Sequence, residues 1–142
     1  MDVGCGTGEI TRRLHELGLD IFGIDVSPGT VQVARAHHPD LTLAVAPLHA
    51  LPLASRSVDG VVCWYVLQHV PDAELEAAFR ELRRVIRPSA VAMVGFHSHS
   101  GTGSHAKTEG YGGHPMRVQV HRPGRSMWRG AGTAVPEPAH SL

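Results

Sequence analysis

MDVGCGTGEITRRLHELGLDIFGIDV, residues 1–26, is the stretch whose reading decides the fold. Met1-Asp2-Val3 reads as the end of a strand. Gly4-Cys5-Gly6-Thr7-Gly8 reads as a tight turn that opens a helix from Gly8 to Leu17. Ile10, Leu14 and Leu17 recur at helical spacing and make one apolar stripe. Gly18 is placed to end that helix in a left-handed conformation. A second strand follows over Leu19–Ile24 and runs out at Asp25. Glycines in such a turn let the backbone reverse and let a ligand touch the main chain. The helix N-terminus adds unpaired N–H groups and positive potential. Strand, glycine turn and helix in this order form a device for holding an anion or a nucleoside.

Spacing separates the ligands such a turn can hold. A dinucleotide fingerprint is G-x-G-x-x-G. Counted from Gly4, its third glycine would fall at Glu9; counted from Gly6, at Thr11. Neither register fits a nicotinamide dinucleotide, and the lysine-bearing phosphate loop is absent. Asp25 lies 17 residues after Gly8, at a strand end, where a carboxylate can accept both ribose hydroxyls of a nucleoside. Nicotinamide enzymes use the same arrangement, so Asp25 alone does not choose between cofactors.

Outward from this stretch the pattern repeats. Ser27-Pro28 is a strong helix start, with Ser27 as N-cap, and that helix runs to His37 and must stop before Pro39. Leu41–Ala46 is a third strand. A loop with Pro47 and Leu51-Pro52-Leu53 leads to a fourth, Val58–Trp64. Asp72 is placed to cap a helix to Arg87, with Leu75, Phe79, Leu82 and Ile86 as its buried stripe and Pro88 as its stop. Ala90–Phe96 is a fifth strand. Strands alternating with helices across short loops predict an α/β fold, a parallel sheet covered on both faces. Residues 97–113 are rich in Gly, Ser, Thr and His and read as irregular; Met116–His121 alternates like a short strand. From Pro123 to Leu142 no periodicity is present, which predicts disorder.

The Asp2-x-Gly4-x-Gly6-x-Gly8 turn resembles the first motif of class I S-adenosylmethionine-dependent methyltransferases. The resemblance extends through Leu51-Pro52-Leu53, Ser57-Val58-Asp59, His69-Val70-Pro71-Asp72 and Arg84–Pro88, and covers about residues 1–121. It is to the branch that methylates small molecules. It implies a Rossmann-like parallel sheet of order 3-2-1-4-5 that lacks the last strands of the complete fold. It also implies S-adenosyl-L-methionine as cofactor. On this resemblance Asp2, Gly4, Cys5, Gly6 and Gly8 frame the turn against the methionine end. Asp25 holds the ribose, Val26 lies on the adenine, and Pro47 and Leu48 border its edge. Cys63 and Trp64 line the methionine and the methyl-transfer point. Two departures stand out. Pro47 occupies a position often acidic in the family, and Ser89-Ala90 replaces the usual Gly-Gly after Pro88.

The chemistry implied is modest. A sulfonium methyl is already activated, so the protein must align the acceptor and exclude water. His69, after the fourth strand, is the candidate general base for an oxygen or nitrogen acceptor. Trp64 and Tyr65 alternate on the strand, so one of them is expected to wall the acceptor. The histidines His97, His99, His105 and His114 lack a compact ligand pattern, and no metal is expected.

Composition bounds the rest. The chain has 142 residues, room for one domain, and a formal net charge of zero. Zero net charge removes a general electrostatic case for nucleic acid or an anionic membrane. No apolar run approaches the ~20 residues that span a bilayer. Two cysteines, Cys5 and Cys63, suit a reducing cytoplasm better than a disulfide framework. The short opening strand and the patternless end predict a partial domain over residues 1–121, truncated at both ends, and a disordered or non-native tail over residues 122–142. The expected partner is a small-molecule acceptor. The leading reading is a methyltransferase. A non-catalytic nucleoside-binding remnant and a nicotinamide-binding domain are the alternatives.

Overall fold

The computed structural model describes residues 1–95, 105–111 and 114–120. Its elements are β1 (Asp2–Val3), α1 (Glu9–Glu16), β2 (Phe22–Asp25), α2 (Pro28–His37), β3 (Thr42–Val45), β4 (Val58–Trp64), a 3-10 turn (Leu67–His69), α3 (Asp72–Val85), β5 (Ile86–Gly95), β6 (His105–Tyr111) and β7 (His114–Val120). The first five strands form one sheet, every pair parallel, in the order β3-β2-β1-β4-β5. This is the Rossmann-like order expected from the resemblance. The chain extends the central strand backward through Met1, whose carbonyl accepts the Val62 N–H at 2.9 Å.

The register tells which residues share a face, because partners across a parallel ladder point to the same side. Asp2 pairs with Gly23, and Gly23 with Leu43, so these three face one way. On that face α2 buries Val31 and Ala34 against Leu43 and Cys5. α1 closes it with Thr11, whose hydroxyl donates to Asp2 at 2.6 Å. The other face carries Val3, Ile24, Val61 and Cys63, packed against Leu75, Leu82 and Val85 of α3 in the larger core.

Local chemistry accounts for the helix ends. Ser27 caps α2 as expected, its side chain accepting from the Thr30 N–H at 3.3 Å. Gly18, at φ +87°, turns the chain out of α1. Several boundaries differ from the sequence reading. β2 starts at Phe22 rather than Leu19, because the Leu19 N–H still bonds back to Leu14 O at 3.2 Å. Asp72 is the first residue of α3 and Pro71 holds the cap position. α3 stops at Val85, three residues before Pro88. The start of β4 ends it: the Arg56 and Ser57 N–H groups take Arg84 O and Val85 O at 2.8 Å each, and Val58 pairs with Ile86. The chain is therefore already extended at Ile86. Pro88 sits inside β5 beside the register shift between Val58 and Gly60, a position on an edge strand that needs no proline N–H. Ser89, where the family usually has glycine, takes a left-handed φ of +70°.

β6 was not expected; it pairs antiparallel with β7 from His105↔Val120 to Tyr111↔His114. β7 lies over the alternating stretch expected to be a strand, beginning two residues earlier than Met116. The expected disorder after Pro123 and the boundary at residue 121 lie outside the described residues.

Candidate functional site

A cavity of about 680 Å³ opens at the C-terminal ends of β1, β2 and β3 and against the turn after β4. This is the end of an open parallel sheet at which ligands bind. Its volume suits a small molecule or cofactor.

Its floor is the glycine turn. Gly4, Gly6 and Gly8 all take left-handed φ, at +68°, +55° and +87°. The Gly4 and Cys5 N–H groups both donate to Ile24 O, at 2.7 and 3.1 Å, which folds the turn back over β2. Gly4 also needs its missing side chain for space: a Cβ there would stand 2.2 Å from Val66 Cγ2. Gly4, Gly6 and Thr7 line the cavity; Gly8 lies behind them, against His38 and Ala34.

Asp25 is gripped by main chain on both sides. The Gly6 N–H donates to its Oδ2 and the Ser27 N–H to its Oδ1, each at 2.9 Å. Each oxygen keeps a further lone pair, and the carboxylate lines the cavity. Val26, also in the wall, exposes 67% of its surface. Past the end of β3, Ala46, Pro47 and Leu48 add an apolar wall with no side-chain acceptor at Pro47.

Asp2 does not reach the cavity. It is 1% exposed, and its carboxyl is pushed above the ordinary range by burial, against the opposing hydrogen bond from Thr11. It acts as a strut that ties β1 to α1 beneath the turn. Cys5 is also buried, under Gly23, where a Cβ would stand 2.8 Å from its Sγ. Burial pushes its thiol up to about 12, and the Cys63 thiol likewise to about 12.

The end of β4 differs from the expectation. Cys63 is fully buried in the α3 core, and Trp64 lies on the opposite face with its ring over Gly95. Neither lines the cavity. Tyr65 and Val66 do so instead. Tyr65 takes a left-handed φ of +56°, which swings the chain off the sheet and over its end. Tyr65 meets Trp64 edge-to-face at 5.2 Å, so the second aromatic braces the first. His69 lines the cavity, held by its N–H to Val66 O at 2.9 Å, with its Nε2 3.5 Å from Gln68 Nε2.

Three polar wall residues escaped the sequence reading: Thr30, His49 and Glu74. His49 Nδ1 and Glu74 Oε2 stand 3.8 Å apart and join the loop after β3 to the first turn of α3. Only the position of His49, one residue beyond Leu48, signalled it in sequence; Glu74 depends on a long-range contact. Among the described residues no group of three His, Cys, Asp or Glu gathers as a metal site. His97 and His99 lie outside the described residues. No helix among the described residues is long and apolar enough to cross a membrane.

Known proteins resemble this chain in sequence and in fold. Residues 1–89 match the family model described as a methyltransferase domain. Over 92 residues the chain is 39% identical to the malonyl-[acyl-carrier protein] O-methyltransferase of Hahella chejuensis, which covers 62% of this chain and 32% of that protein. Over 99 residues it is 32% identical to the demethylmenaquinone methyltransferase of Renibacterium salmoninarum, covering 70% of this chain and 41% of that one. The chain thus spans less than half the length of these curated relatives. Its fold is similar to that of a SAM-dependent methyltransferase from Methanosarcina mazei, with a TM-score of 0.72 at 22% identity, over 84% of this chain and 70% of that one.

Proposed function

Because the chain belongs to the methyltransferase domain family, we propose that its cavity binds S-adenosyl-L-methionine and that a methyl group passes from it to a small-molecule acceptor. The observation that carries this reading is the Asp25 carboxylate, fixed by the Gly6 and Ser27 N–H groups at the cavity wall. The residues present fit the group. Asp25 has lone pairs left for two ribose hydroxyls. Val26 and Leu48 are apolar surfaces beside the space for a base. Gly4 and Gly6 leave room for main-chain contact with the amino-acid end. Asp2, Cys5, Gly8 and Cys63 serve this site from beneath, by holding the turn and the strand ends. Bound there, the cofactor would supply a methyl activated by sulfonium charge.

The chain's own work is alignment and the handling of one proton. Tyr65 and Val66 close the space beside the glycine turn and keep water from it. His69 is the group that takes the proton of an oxygen or nitrogen acceptor. Taking it at Nδ1 requires the hydrogen of the neutral ring to sit on Nε2. Gln68 must then present its carbonyl oxygen to Nε2–H. A small acceptor suits a cavity of about 680 Å³, and two buried free thiols suit a reducing compartment such as the cytoplasm.

Titration calorimetry with S-adenosylhomocysteine and, separately, with NAD tests the cofactor. Binding of the first and not the second is expected; binding of NAD alone would overturn the proposal. For the base, His69→Asn is expected to leave S-adenosylhomocysteine affinity unchanged and to slow transfer to an oxygen or nitrogen acceptor by about 100-fold or more. An unchanged rate would remove His69 from the mechanism. A second reading, nucleoside binding without transfer, is favoured by one contrast. Main-chain hydrogen bonds fix Asp25 on the nucleoside side, whereas His69 on the acceptor side is approached by one side chain at 3.5 Å.

A further inference from the structure

Twelve residues, 46–57, separate β3 from β4, long for a connection in an α/β unit. Their first part walls the cavity through Pro47, Leu48 and His49. A loop of this length needs something to hold it against the cavity. Within itself it makes only two short-range main-chain bonds, Ala50 N–H to Pro47 O and Leu53 N–H to Leu51 O. Its first residue is tied to β2 by the Ala46 N–H to Asp25 O at 3.0 Å, His49 faces Glu74 at 3.8 Å, and its last two residues bond to the end of α3; its middle is held by two side chains of α3.

Arg84 donates from Nη1 to Leu53 O at 2.7 Å and from Nη2 to Leu51 O at 3.0 Å. The same guanidinium meets Glu81 through Nε at 2.6 Å and Nη2 at 2.7 Å. Glu81 Oε2 in turn accepts the Leu51 N–H at 3.0 Å. Both polar groups of Leu51 are therefore held by one planar ion pair, and its side chain is buried at 5% exposure in the α3 core. The Glu81 carboxyl is held below its ordinary range, chiefly by the Arg84 guanidinium. A rigid fork bonded to two carbonyls and one carboxylate sets orientation as well as distance, which lysine's point charge cannot do.

We propose that Arg84 and Glu81 are positioning residues for the cofactor: they hold the loop after β3 so that Pro47, Leu48 and His49 form their part of the cavity wall. Neither side chain lines the cavity. They act through the loop, by fixing Leu51 two residues beyond its last wall residue. Burial of Leu51 supplies the cohesion that keeps the loop on the protein; the ion pair decides where its leading residues point. This inference rests on the cofactor reading above.

Two measurements on the full chain test it separately from that reading. Amide hydrogen exchange without ligand compares wild type with Arg84→Lys and Glu81→Ala. Faster exchange is expected at Ala50, Leu51 and Leu53, with the β1, β2 and β4 amides unchanged. Calorimetry with S-adenosylhomocysteine then follows the wall itself. Arg84→Lys and Glu81→Ala are expected to weaken binding about tenfold, while melting stays within a few degrees of wild type. Glu81→Gln, which keeps an oxygen for the Leu51 N–H, is expected to recover most of the loss. Unchanged exchange at Leu51 would overturn the clamp whatever the ligand result. Unchanged affinity in a wild type that binds would overturn its role toward the cofactor. Loss of affinity only in step with loss of the fold would make the pair structural and not positioning. Failure of the wild type to bind, with the exchange pattern as expected, would overturn the cofactor reading, and with it this role, while leaving the clamp on Leu51 in place.

Discussion

The face of the sheet that α1 and α2 cover is two different surfaces. Over β3, β2 and β1 it is closed: Leu43 is 7% exposed and Asp2 1%. Over β4 and β5 the same face opens. Register carries it from Asp2 through Val62 to Met93, and Met93 is 47% exposed, with Val91 two residues earlier at 73%. The opposite face stays closed as far as β4, where α3 packs on Val3, Ile24, Val61 and Cys63 together, and opens at β5, where Ala92 is exposed. The glycine turn and Asp25 sit at the end of the closed part, where hydrogen bonds and packing over-determine each position. A nucleoside can be held with precision there, because its first contacts are to backbone that cannot shift. The open part supplies the wall from Tyr65 onward with fewer constraints.

Gly4 joins the two parts, so its substitution should have the largest effect. It belongs to the turn of the closed half and touches Val66 at the end of the open half. Gly4→Ala introduces a side chain at φ +68° and 2.2 Å from Val66 Cγ2. Left-handed strain and overpacking together predict a loss of about 2–4 kcal/mol and no measurable binding of S-adenosylhomocysteine. Urea unfolding and calorimetry on one sample would check both. A loss below 1 kcal/mol would show that the seam between the halves is loose.

Val61 tests the other side of the contrast. It lies on the closed α3 face at 3% exposure, paired with Ala92 of β5. Val61→Ala removes two buried methyl groups and should cost about 2 kcal/mol by denaturant titration. Its ligand affinity should be unchanged, because Val61 lies below the cavity.

These contrasts were partly legible beforehand. Alternation of strand and helix patterns was enough for a parallel sheet covered on both faces, the family resemblance supplied the strand order, and β4 occupies Val58–Trp64 as read. The Ser27 cap was legible because capping is local chemistry. Two kinds of feature were not. One depends on backbone conformation at a single residue: the left-handed Tyr65 moves the cavity wall from Cys63 and Trp64 to Tyr65 and Val66. No periodicity announces a positive φ at a tyrosine. The other depends on pairing across many residues. His49 meets Glu74, and the end of α3 yields to a ladder between Ser57 and Val85, through contacts about a helix or more apart in the chain. Pro88 looked like the stop for that helix, yet long-range pairing had already ended it.

Asp2 sharpens the comparison through pH. Its carboxyl is raised above the ordinary value of 3.8, first by burial. The folded state therefore holds the proton more tightly than the unfolded chain. Its contribution to stability is present below the unfolded value and is lost as pH rises through the folded one. At neutral pH the closed half thus carries a buried charge at a cost. Asp2→Asn removes the charge and keeps an oxygen for the Thr11 hydroxyl. Thermal melts should show the variant more stable than wild type at pH 7 and equal to it below about pH 3. The same substitution should weaken S-adenosylhomocysteine binding if the strut beneath the turn is tuned for the ligand. A variant less stable at pH 7 would mean that the ionised carboxylate is fully compensated where it lies.

The smallest effect is expected on the open half. Val91 is 73% exposed on an edge strand, with only Gly60 beside it in the ladder. Val91→Thr keeps the β-branched shape, so strand preference is unchanged and only apolar exposure falls. Stability should stay within about 0.5 kcal/mol of wild type. The result has weight because a Thr hydroxyl buried without a partner would cost about as much as the two methyl groups lost in Val61→Ala, one face and one strand away. If Val91→Thr costs as much as Val61→Ala, Val91 is buried in solution, and the division of this face into a closed and an open half does not hold. If it costs nothing while Val61→Ala costs about 2 kcal/mol, the part of the sheet that α1 and α2 leave uncovered is open, in contrast to the face under α3.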